Sequence, residues 1–491
     1  MDLLHRAALM AYSLLLWMAQ PVVRAKLRQR GVAEPVYRVA VDERFGRYRQ
    51  DSRRHNSDGD GAPPAGGFVW IHAVSLGETR AAGLLIERLR ARRPDICLLL
   101  THGTATGRAE GARLLRAGDV QVWLPWDTPG AVQRFLAYFR PRIGILMETE
   151  VWPNLSAGCQ RNGVPLVLAN ARLSEKSQRK AQRLAWLSRP AYGALAGVWA
   201  QTDADAARLI AVGANVAGVF GNIKFDAPPD AMQWAQGRRW RGAWRNSTRR
   251  PVVIFASSRD GEEADFLKNL EQFKNFASVE YASIAMKSGV LESTAVQSSD
   301  PPVQWLVVPR HPQRVDEVAA LIERQGWRVS RRSTWREGPP EEPISSAVDP
   351  TDAAATHADD TIWLGDSLGE MSLYYGLSDA ALLGGSFEPL GGQNLIEAAA
   401  CGCPVIMGPH TFNFAQASEL AQAAGAAIRA ADMAQAVAAA VRLVRDDAAL
   451  LAARNACEVF LKPHRGAADQ LADAIVEQIH LAQQSVDGSS L

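Results

Sequence analysis

Short, continuously apolar runs alternate with helix-forming segments along most of the chain, and this alternation restricts the fold to a parallel α/β architecture. In the first half the apolar runs lie at residues 68–74, 96–101, 120–124, 143–147, 164–169 and 198–201. In the second half they lie at residues 252–256, 305–308, 361–364, 380–383 and 404–407. We predict an α/β fold with two Rossmann-like domains facing a central cleft, and ligands at the carboxyl ends of the strands.

The predicted domain organisation follows these two halves. We predict an N-terminal anchor helix with its basic flank at residues 1–30 and a Rossmann-like domain at residues 31–237. A polar arginine-rich linker follows at residues 238–250, and a second Rossmann-like domain at residues 251–466. Residues 467–491 form a C-terminal helix and tail. Residues 278–302 and 333–360 interrupt the second half, and their composition predicts mobile, peripheral loop insertions.

Composition excludes several classes of protein. The chain has 491 residues and a net charge of +2, so no global electrostatic field favours nucleic acid as a partner. Its five cysteines are odd in number and scattered, which argues against a disulfide framework and favours a reducing cytosol.

The N-terminal segment indicates a membrane. Residues 7–23 contain no charged side chain, and Arg24, Lys26, Arg28 and Arg30 follow at once. The uncharged run is at the short limit for a bilayer span, so it could cross the membrane or lie at its surface. The basic flank predicts that the rest of the chain stays in the cytoplasm. An amphipathic or buried core helix is the alternative.

A glycine-rich turn joins a buried strand to a helix in the second half. Residues 384–397 read GGSFEPLGGQNLIE. Glycine lets backbone N–H groups approach an anion, and a helix N-terminus adds positive potential. Glu397, one turn into the helix, suits a ribose diol because an ionised carboxylate only accepts hydrogen bonds. The pattern favours a sugar-nucleotide site, with a plain tight turn as the alternative.

Charged side chains also follow strands of the first half. Glu78 begins the helix after the first strand and could accept a proton from an attacking hydroxyl, or could only complement the helix dipole. Glu148 and Glu150 follow the fourth strand, and Glu148 is the stronger candidate. Lys224 closes this half and could offset the charge of a leaving phosphate, or could be a solvated surface lysine.

Two further turns of the second half converge on the edge that carries the glycine-rich turn. Arg310 ends a buried strand and could make a forked contact with phosphate. Residues 365–370, GDSLGE, end the next strand with another glycine turn. Metal binding is not expected, because Asp203 and Asp205 follow Thr202 at the start of a helix and fit capping better than coordination.

Eight motifs in order resemble the 3-deoxy-D-manno-octulosonic acid (Kdo) transferases of lipopolysaccharide synthesis. They are HAVSLGE, METEVWPN, ANARLS, GNIKFD, PRHPQR, GDSLGE, GGSFEPLGGQNLIEAAA and MGPHTFNF, which begin at residues 72, 147, 169, 221, 309, 365, 384 and 407. The resemblance implies a metal-independent, inverting GT-B glycosyltransferase with no cofactor, which uses CMP-Kdo as donor. It implies the tetraacylated lipid A precursor as acceptor, at the cytoplasmic side of the inner membrane.

The resemblance also implies roles for individual residues. Glu78 would be the general base, and Glu148 and Lys224 would stabilise the transition state. The residues that would hold CMP are Pro309, Arg310, Leu368, Gly369, Glu370, Asn394, Leu395, Ile396 and Glu397.

The chain departs from the family pattern at two places. Gln393 stands where His is common, and residues 257–263, SSRDGEE, carry added charges where Ser-Thr-His often precedes Gly-Glu-Glu. Two other functions remain open at this point. One is a GT-B enzyme that uses a UDP-sugar, as a transferase or an epimerase; the other is a non-catalytic protein that binds a lipid surface.

Overall fold

The computed structural model describes residues 3–48, 66–275, 302–340 and 361–487. Of the two predicted insertions, residues 278–301 and 341–360 lie outside the described residues. The chain divides into two compact units. Unit 1 comprises Met1–Asp226 and His464–Leu491, and unit 2 comprises Ala227–Pro463.

Unit 1 is built on a parallel seven-stranded sheet. Its strands are β1 (Phe68–His72), β2 (Leu98–His102), β3 (Val120–Trp123), β4 (Pro141–Met147), β5 (Leu166–Ala171), β6 (Gly197–Ala200) and β7 (Val216–Val219). They lie in the order β3-β2-β1-β4-β5-β6-β7. The helices of its N-terminal part are α1 (Leu3–Ala33), α2 (Leu76–Arg92), α3 (Ala105–Ala112), α4 (Pro129–Phe139), α5 (Pro153–Arg161), α6 (Glu175–Arg183), α7 (Ala185–Gly193) and α8 (Asp203–Ala211).

Unit 2 has a second parallel seven-stranded sheet. Its strands are β8 (Val252–Ser258), β9 (Gln304–Pro309), β10 (Arg328–Arg331), β11 (Thr361–Leu364), β12 (Ala380–Leu383), β13 (Val405–Met407) and β14 (Ala427–Arg429). They lie in the order β10-β11-β9-β8-β12-β13-β14. Its helices are α9 (Ala231–Thr248), α10 (Glu262–Asn275), α11 (Val315–Arg324), α12 (Met371–Leu377), α13 (Leu395–Ala400), α14 (Ala415–Ala424), α15 (Met433–Arg445) and α16 (Asp447–Leu461). The prediction of an α/β fold with two Rossmann-like domains is confirmed.

Helices cover both faces of the first sheet, as its apolar strands require. Alternate residues of β1 point to opposite faces, so that Trp70 packs with Phe135 of α4 while Ile71 packs with Leu85 of α2. The last helix, α17 (Ala467–Asp487), returns to unit 1, where Leu471 joins the same buried cluster as Leu85. The C-terminal segment is therefore part of the core of unit 1.

The unit boundary differs from the predicted linker at residues 238–250. Most of this segment lies in α9, whose Trp240 and Trp244 are buried. The ring of Trp244 packs edge-on against Trp363 of β11, with centroids 4.8 Å apart. The arginine-rich composition suggested a linker, although Trp240 and Trp244 are four positions apart and therefore lie on one side of the helix.

Candidate active site

The predicted residues of unit 1 lie beyond the carboxyl ends of neighbouring strands. Glu78 follows β1, Glu148 follows β4, and β1 pairs directly with β4. Arg172 follows β5, which pairs with β4 on the other side. Since parallel strands end at one edge of the sheet, these three loops are neighbours.

Glu78 is held at the start of α2 by a capping arrangement. The hydroxyl of Ser75, the N-cap residue, accepts from the backbone N–H of Glu78 at 3.4 Å. The carboxylate of Glu78 reaches back to accept from the Val74 N–H at 2.8 Å and from the Ser75 hydroxyl at 3.1 Å. This resembles a capping box, except that the carboxylate accepts from the N–H of Val74, the residue before the N-cap, so Glu78 does complement the helix terminus.

The pKa of Glu78 is nevertheless raised above the usual value for a glutamate. Burial is the largest cause, and the negative charges of Glu148 and Glu150 add to it, while the Val74 N–H opposes the shift. A raised pKa brings a carboxylate nearer to the range in which a general base works well at neutral pH. The structural and catalytic interpretations of Glu78 are therefore compatible.

Glu148 is a buried carboxylate held between two cations. Its side chain is 2% exposed, and the Lys224 Nζ donates to Oε1 at 2.6 Å. The Arg172 Nε donates to Oε2 at 2.8 Å. The backbone of Glu148 has a φ of 59°, a left-handed conformation that is uncommon for a glutamate and is often found at functional sites.

Asn170 joins the loops that carry the two cations. It lies in a β-bulge of β5 with a φ of 52°, and its Oδ1 accepts from the Ile223 N–H at 3.1 Å. Ile223 begins the short helix that contains Lys224. Asn170 and Arg172 were missed as site residues by sequence reasoning, although the ANARLS motif that contains them was recognised.

In unit 2 the glycine-rich turn holds a carboxylate of the protein itself. Glu262, at the start of α10, is 1% exposed and accepts from the backbone N–H groups of Gly385 (2.8 Å), Phe387 (3.1 Å) and Arg259 (2.9 Å). Burial raises its pKa, and these hydrogen bonds oppose the shift. The sequence predicted that the N–H groups of this turn bind an anion of the ligand. In the first part of the turn, the N–H groups of Gly385 and Phe387 bind the carboxylate of Glu262 instead.

Removal of this carboxylate should loosen the turn. Glu262→Ala leaves three buried backbone donors without their acceptor, and we expect the free energy of unfolding to fall by about 3 kcal/mol. Urea denaturation measures the loss, with Asp265→Ala on the exposed side of α10 as the matched control. Equal stability of the two variants would show that Glu262 does not hold the turn.

Two of the other predicted residues of unit 2, Arg310 and Glu397, lie near the buried Tyr375. Arg310 and Glu397 act on the pKa of the buried Tyr375 hydroxyl in opposite directions, so both lie near it; burial is the main cause that raises this pKa. Pro309 ends β9, and the Arg310 N–H donates to the Ser258 carbonyl at 2.9 Å. Sequence reasoning did not single out Tyr375, which is buried on α12.

The remaining positions differ in what they can offer a ligand. Leu368 is 81% exposed, and Glu370 accepts from the Arg332 Nη2 at 3.0 Å. Gly369, between them, has a φ of 84°, which glycine adopts without strain. The turn therefore presents an apolar side chain beside a paired carboxylate.

The start of α13 offers a ligand mainly the hydrogen-bonding groups of its main chain. Asn394 is the N-cap residue, and its side chain accepts from the Ile396 N–H at 3.2 Å. Leu395 and Ile396 are buried, so they could contact a ligand only through the main chain. A cavity of about 580 Å³ lined by Ser330, Arg331 and Trp335 lies apart from these positions, at the edge strand β10.

Two parallel α/β units, one with carboxylates and cations at its strand ends and one with a glycine-rich strand–helix turn, are the features of a glycosyltransferase that uses a nucleotide sugar. Residues 40–227 match the family described as 3-deoxy-D-manno-octulosonic-acid transferase (kdotransferase). A 3-deoxy-D-manno-octulosonic acid transferase of Bordetella pertussis is 44% identical over 417 residues, which cover 84% of this chain and 87% of that protein. The corresponding transferase of Haemophilus influenzae is 31% identical over 405 residues, 82% of each chain. The chain therefore belongs to the 3-deoxy-D-manno-octulosonic acid transferase family, and it is a glycosyltransferase.

Among solved structures, the C-terminal CMP-Kdo binding domain of WaaA from Acinetobacter baumannii is similar to part of this chain. The match has 25% identity and a TM-score of 0.35, and it covers 47% of this chain and 98% of that domain.

Proposed function

We propose that this chain transfers Kdo from CMP-Kdo to lipid IVA, the tetraacylated disaccharide precursor of lipid A, in lipopolysaccharide core biosynthesis. The reaction is inverting and needs no metal ion. The observation that carries the proposal is the buried Glu148 held by Lys224 and Arg172, next to a Glu78 of raised pKa, in a member of the Kdo transferase family.

Glu78 is the general base of the proposed reaction. The acceptor hydroxyl oxygen forms a bond to the anomeric carbon of Kdo while the bond from that carbon to the CMP phosphate oxygen breaks. The hydroxyl proton passes to the carboxylate of Glu78, and CMP leaves with the electron pair. An alcohol is a much weaker acid than a carboxylic acid, so proton transfer must accompany the attack rather than precede it.

Glu148 and Lys224 supply fixed charge in this scheme. Glu148 holds the Lys224 ammonium in one position through the 2.6 Å contact, so little reorganisation is needed when charge develops during the reaction. Positioning and electrostatics then provide most of the rate acceleration, as suits a reaction whose leaving group, CMP, is already good.

In unit 2, the strand-end residues bind the CMP part of the donor. Arg310 binds the phosphate in this proposal, because a guanidinium makes two parallel hydrogen bonds to an oxyanion. Glu397 accepts hydrogen bonds from the ribose hydroxyls. The exposed turn at Leu368, Gly369 and Glu370 contributes contacts to the base, and Pro309 and Asn394–Glu397 complete the site.

A donor panel tests the proposal. Purified enzyme is incubated with lipid IVA and either CMP-Kdo or UDP-N-acetylglucosamine, and lipid products are identified by mass. We expect a Kdo-bearing product only with CMP-Kdo. Transfer or epimerisation of the UDP-sugar, with no reaction of CMP-Kdo, would contradict the donor assignment.

The proposed location is the cytoplasmic side of the inner membrane, where α1 lies in the plane of the bilayer surface. Residues 5–32 form a helix that is long and apolar enough to cross a membrane, judged by length and composition alone. One side of α1 instead packs on unit 1: Leu9 contacts Ala157 and Leu187, and the Tyr12 hydroxyl donates to Asp127 at 3.0 Å. The attachment of α1 to its own domain along one side supports a position at the membrane surface.

The opposite side of α1 is apolar and exposed. Its exposed side chains are Met10, Leu14, Leu15, Trp17, Met18 and Val22, with Trp17 66% exposed. Arg24, Lys26, Arg28 and Arg30 follow these apolar residues along α1. Apolar side chains together with basic ones suit a bilayer of anionic lipid.

Polar substitutions on the exposed side of α1 should weaken membrane binding. We expect Leu14→Ser with Trp17→Ser to lower partitioning onto anionic vesicles by at least about tenfold, because each side chain loses apolar burial of roughly 1.5–3 kcal/mol. Leu451→Ser, at an exposed leucine of unit 2, is the control. Unchanged partitioning would contradict the surface assignment, and resistance of the wild type to alkaline extraction would favour a spanning helix.

A further inference from the structure

The buried carboxylate of Glu148 contacts two cations, although one cation would be enough to neutralise its charge. Lys224 contacts Oε1 at 2.6 Å and would by itself neutralise a buried carboxylate. Arg172 contacts Oε2 at 2.8 Å. The other carboxylates of the neighbouring loops are Glu78, which caps α2, and Glu150, which accepts from the Trp152 Nε1 at 2.9 Å. Within the described chain, Arg172 contacts neither of them.

Arg172 keeps most of its binding capacity available. Its side chain is 53% exposed, and only Nε donates to Glu148. Over the described residues, its two terminal nitrogens have no hydrogen-bond partner in the protein. The two terminal nitrogens of a guanidinium can make parallel hydrogen bonds that match the oxygen spacing of a phosphate or a carboxylate.

The backbone around Arg172 is fixed on both sides. Asn170 precedes it in the β-bulge and is bonded to the Ile223 N–H. The Arg172 N–H donates to the Glu148 carbonyl at 3.1 Å, and the next N–H, of Leu173, donates to Asp205 at 3.0 Å. An arginine whose main chain and Nε are both anchored loses little entropy when it binds an anion.

We propose that Arg172 binds an oxyanion of the acceptor at the strand ends of unit 1. This inference rests on the proposed function, in which the acceptor is a phosphorylated disaccharide that gains a sugar carboxylate after one Kdo has been added. Phosphate and carboxylate offer the same chemistry to a guanidinium. Arg172 thereby orients the acceptor beside Glu78, and Glu148 orients Arg172.

Direct binding of the acceptor tests the proposal without requiring turnover. Titration calorimetry with detergent-dispersed lipid IVA compares wild type, Arg172→Gln, Arg172→Lys and the control Arg179→Gln, an exposed arginine of α6. If a phosphate is the bound oxyanion, we expect Arg172→Gln to raise the Kd for lipid IVA about 10- to 100-fold, the loss of one charge-assisted interaction. The Kd of Arg172→Lys should lie between these values, because lysine keeps the positive charge but lacks the two parallel N–H donors. The Kd of Arg179→Gln should stay within about twofold of wild type.

Steady-state kinetics separates binding from indirect effects. We expect the KM for lipid IVA to rise with its Kd in Arg172→Gln, with a smaller change in kcat and an unchanged KM for CMP-Kdo. A fall in kcat alone, with the Kd unchanged both for lipid IVA and for an acceptor that already carries Kdo, would overturn the proposal and leave Arg172 as a support for Glu148. A wild type that binds lipid IVA through Arg172 but transfers no Kdo would instead reject the proposed reaction and retain the anion site.

Modified acceptors identify the source of the oxyanion. If Arg172 binds the phosphate, wild type should bind a dephosphorylated acceptor as weakly as Arg172→Gln binds lipid IVA. Dephosphorylation of the acceptor should then cause no further loss of affinity in Arg172→Gln. If the carboxylate binds, the defect of the variant should appear only with an acceptor that already carries Kdo. If Arg172→Gln binds lipid IVA, the dephosphorylated acceptor and the Kdo-bearing acceptor as tightly as wild type does, Arg172 binds neither oxyanion.

Discussion

Replacement of Glu78 by Gln should lower kcat for Kdo transfer by about 10²- to 10⁴-fold, the usual contribution of a general base. The amide oxygen of Gln can still accept from the Val74 N–H or the Ser75 hydroxyl, so the start of α2 should persist. We expect the free energy of unfolding to stay within about 1 kcal/mol of wild type, since the loss is that of a charge at a helix terminus. The kinetics are measured with saturating CMP-Kdo and lipid IVA.

The pH profile gives a second signature of Glu78. Burial and the charge of Glu148 raise its pKa, so the protonated, inactive form persists to higher pH than in an ordinary glutamate. We expect kcat/KM of the wild type to rise as the pH increases through this raised pKa, and the same limb to be missing in Glu78→Gln. A variant with wild-type rates and an unchanged acid limb would remove Glu78 as the base.

Replacement of Lys224 by Met should affect both catalysis and stability. The buried Glu148 loses its 2.6 Å partner but keeps Arg172, so we expect a loss of about 1–3 kcal/mol in the free energy of unfolding. We expect kcat to fall by about 10²- to 10³-fold, as for the removal of one preorganised charge. Chemical denaturation and steady-state kinetics measure the two effects, with Lys176→Met on the exposed helix α6 as the control.

A double variant separates the two roles of Lys224. Glu148→Gln with Lys224→Met removes the buried charge that has lost one of its two cations, so part of the stability lost in Lys224→Met should return while activity stays low. Additive losses of stability would show that the contact between Lys224 and Glu148 contributes no coupling.

The sequence was sufficient to predict the inner strands and the mostly buried edge strand β3, but not the other edge strands of the two described sheets. Every predicted apolar run became a strand, because residues of an inner strand are buried on both faces and must be apolar. The strands that escaped prediction, β7, β10 and β14, are all outermost in their sheets. Their sequences, VAGV, RVSR and AIR, include exposed positions and give no continuous apolar signal.

The sequence could predict only those contacts of the site that join residues close together in the chain. The cap of α2 by Ser75 and Glu78 involves residues three apart and is visible in the sequence. The contacts of Glu148 join it to Arg172 and Lys224, which are 24 and 76 positions away. Glu262 fills a turn 123 positions away. Such pairings depend on the order of strands in the sheet, and on the bulge at Asn170 that redirects the chain.

The most direct test of the central claim is a transfer assay with EDTA present, in which wild type and Glu78→Gln act on CMP-Kdo and lipid IVA. Product masses are read by mass spectrometry, so that each mass increment counts the Kdo units added. We predict Kdo-bearing lipid from the wild type and almost none from the variant. No product from a folded wild-type enzyme would contradict the proposed donor and acceptor, and product that appears only after Mg²⁺ is restored would contradict metal independence.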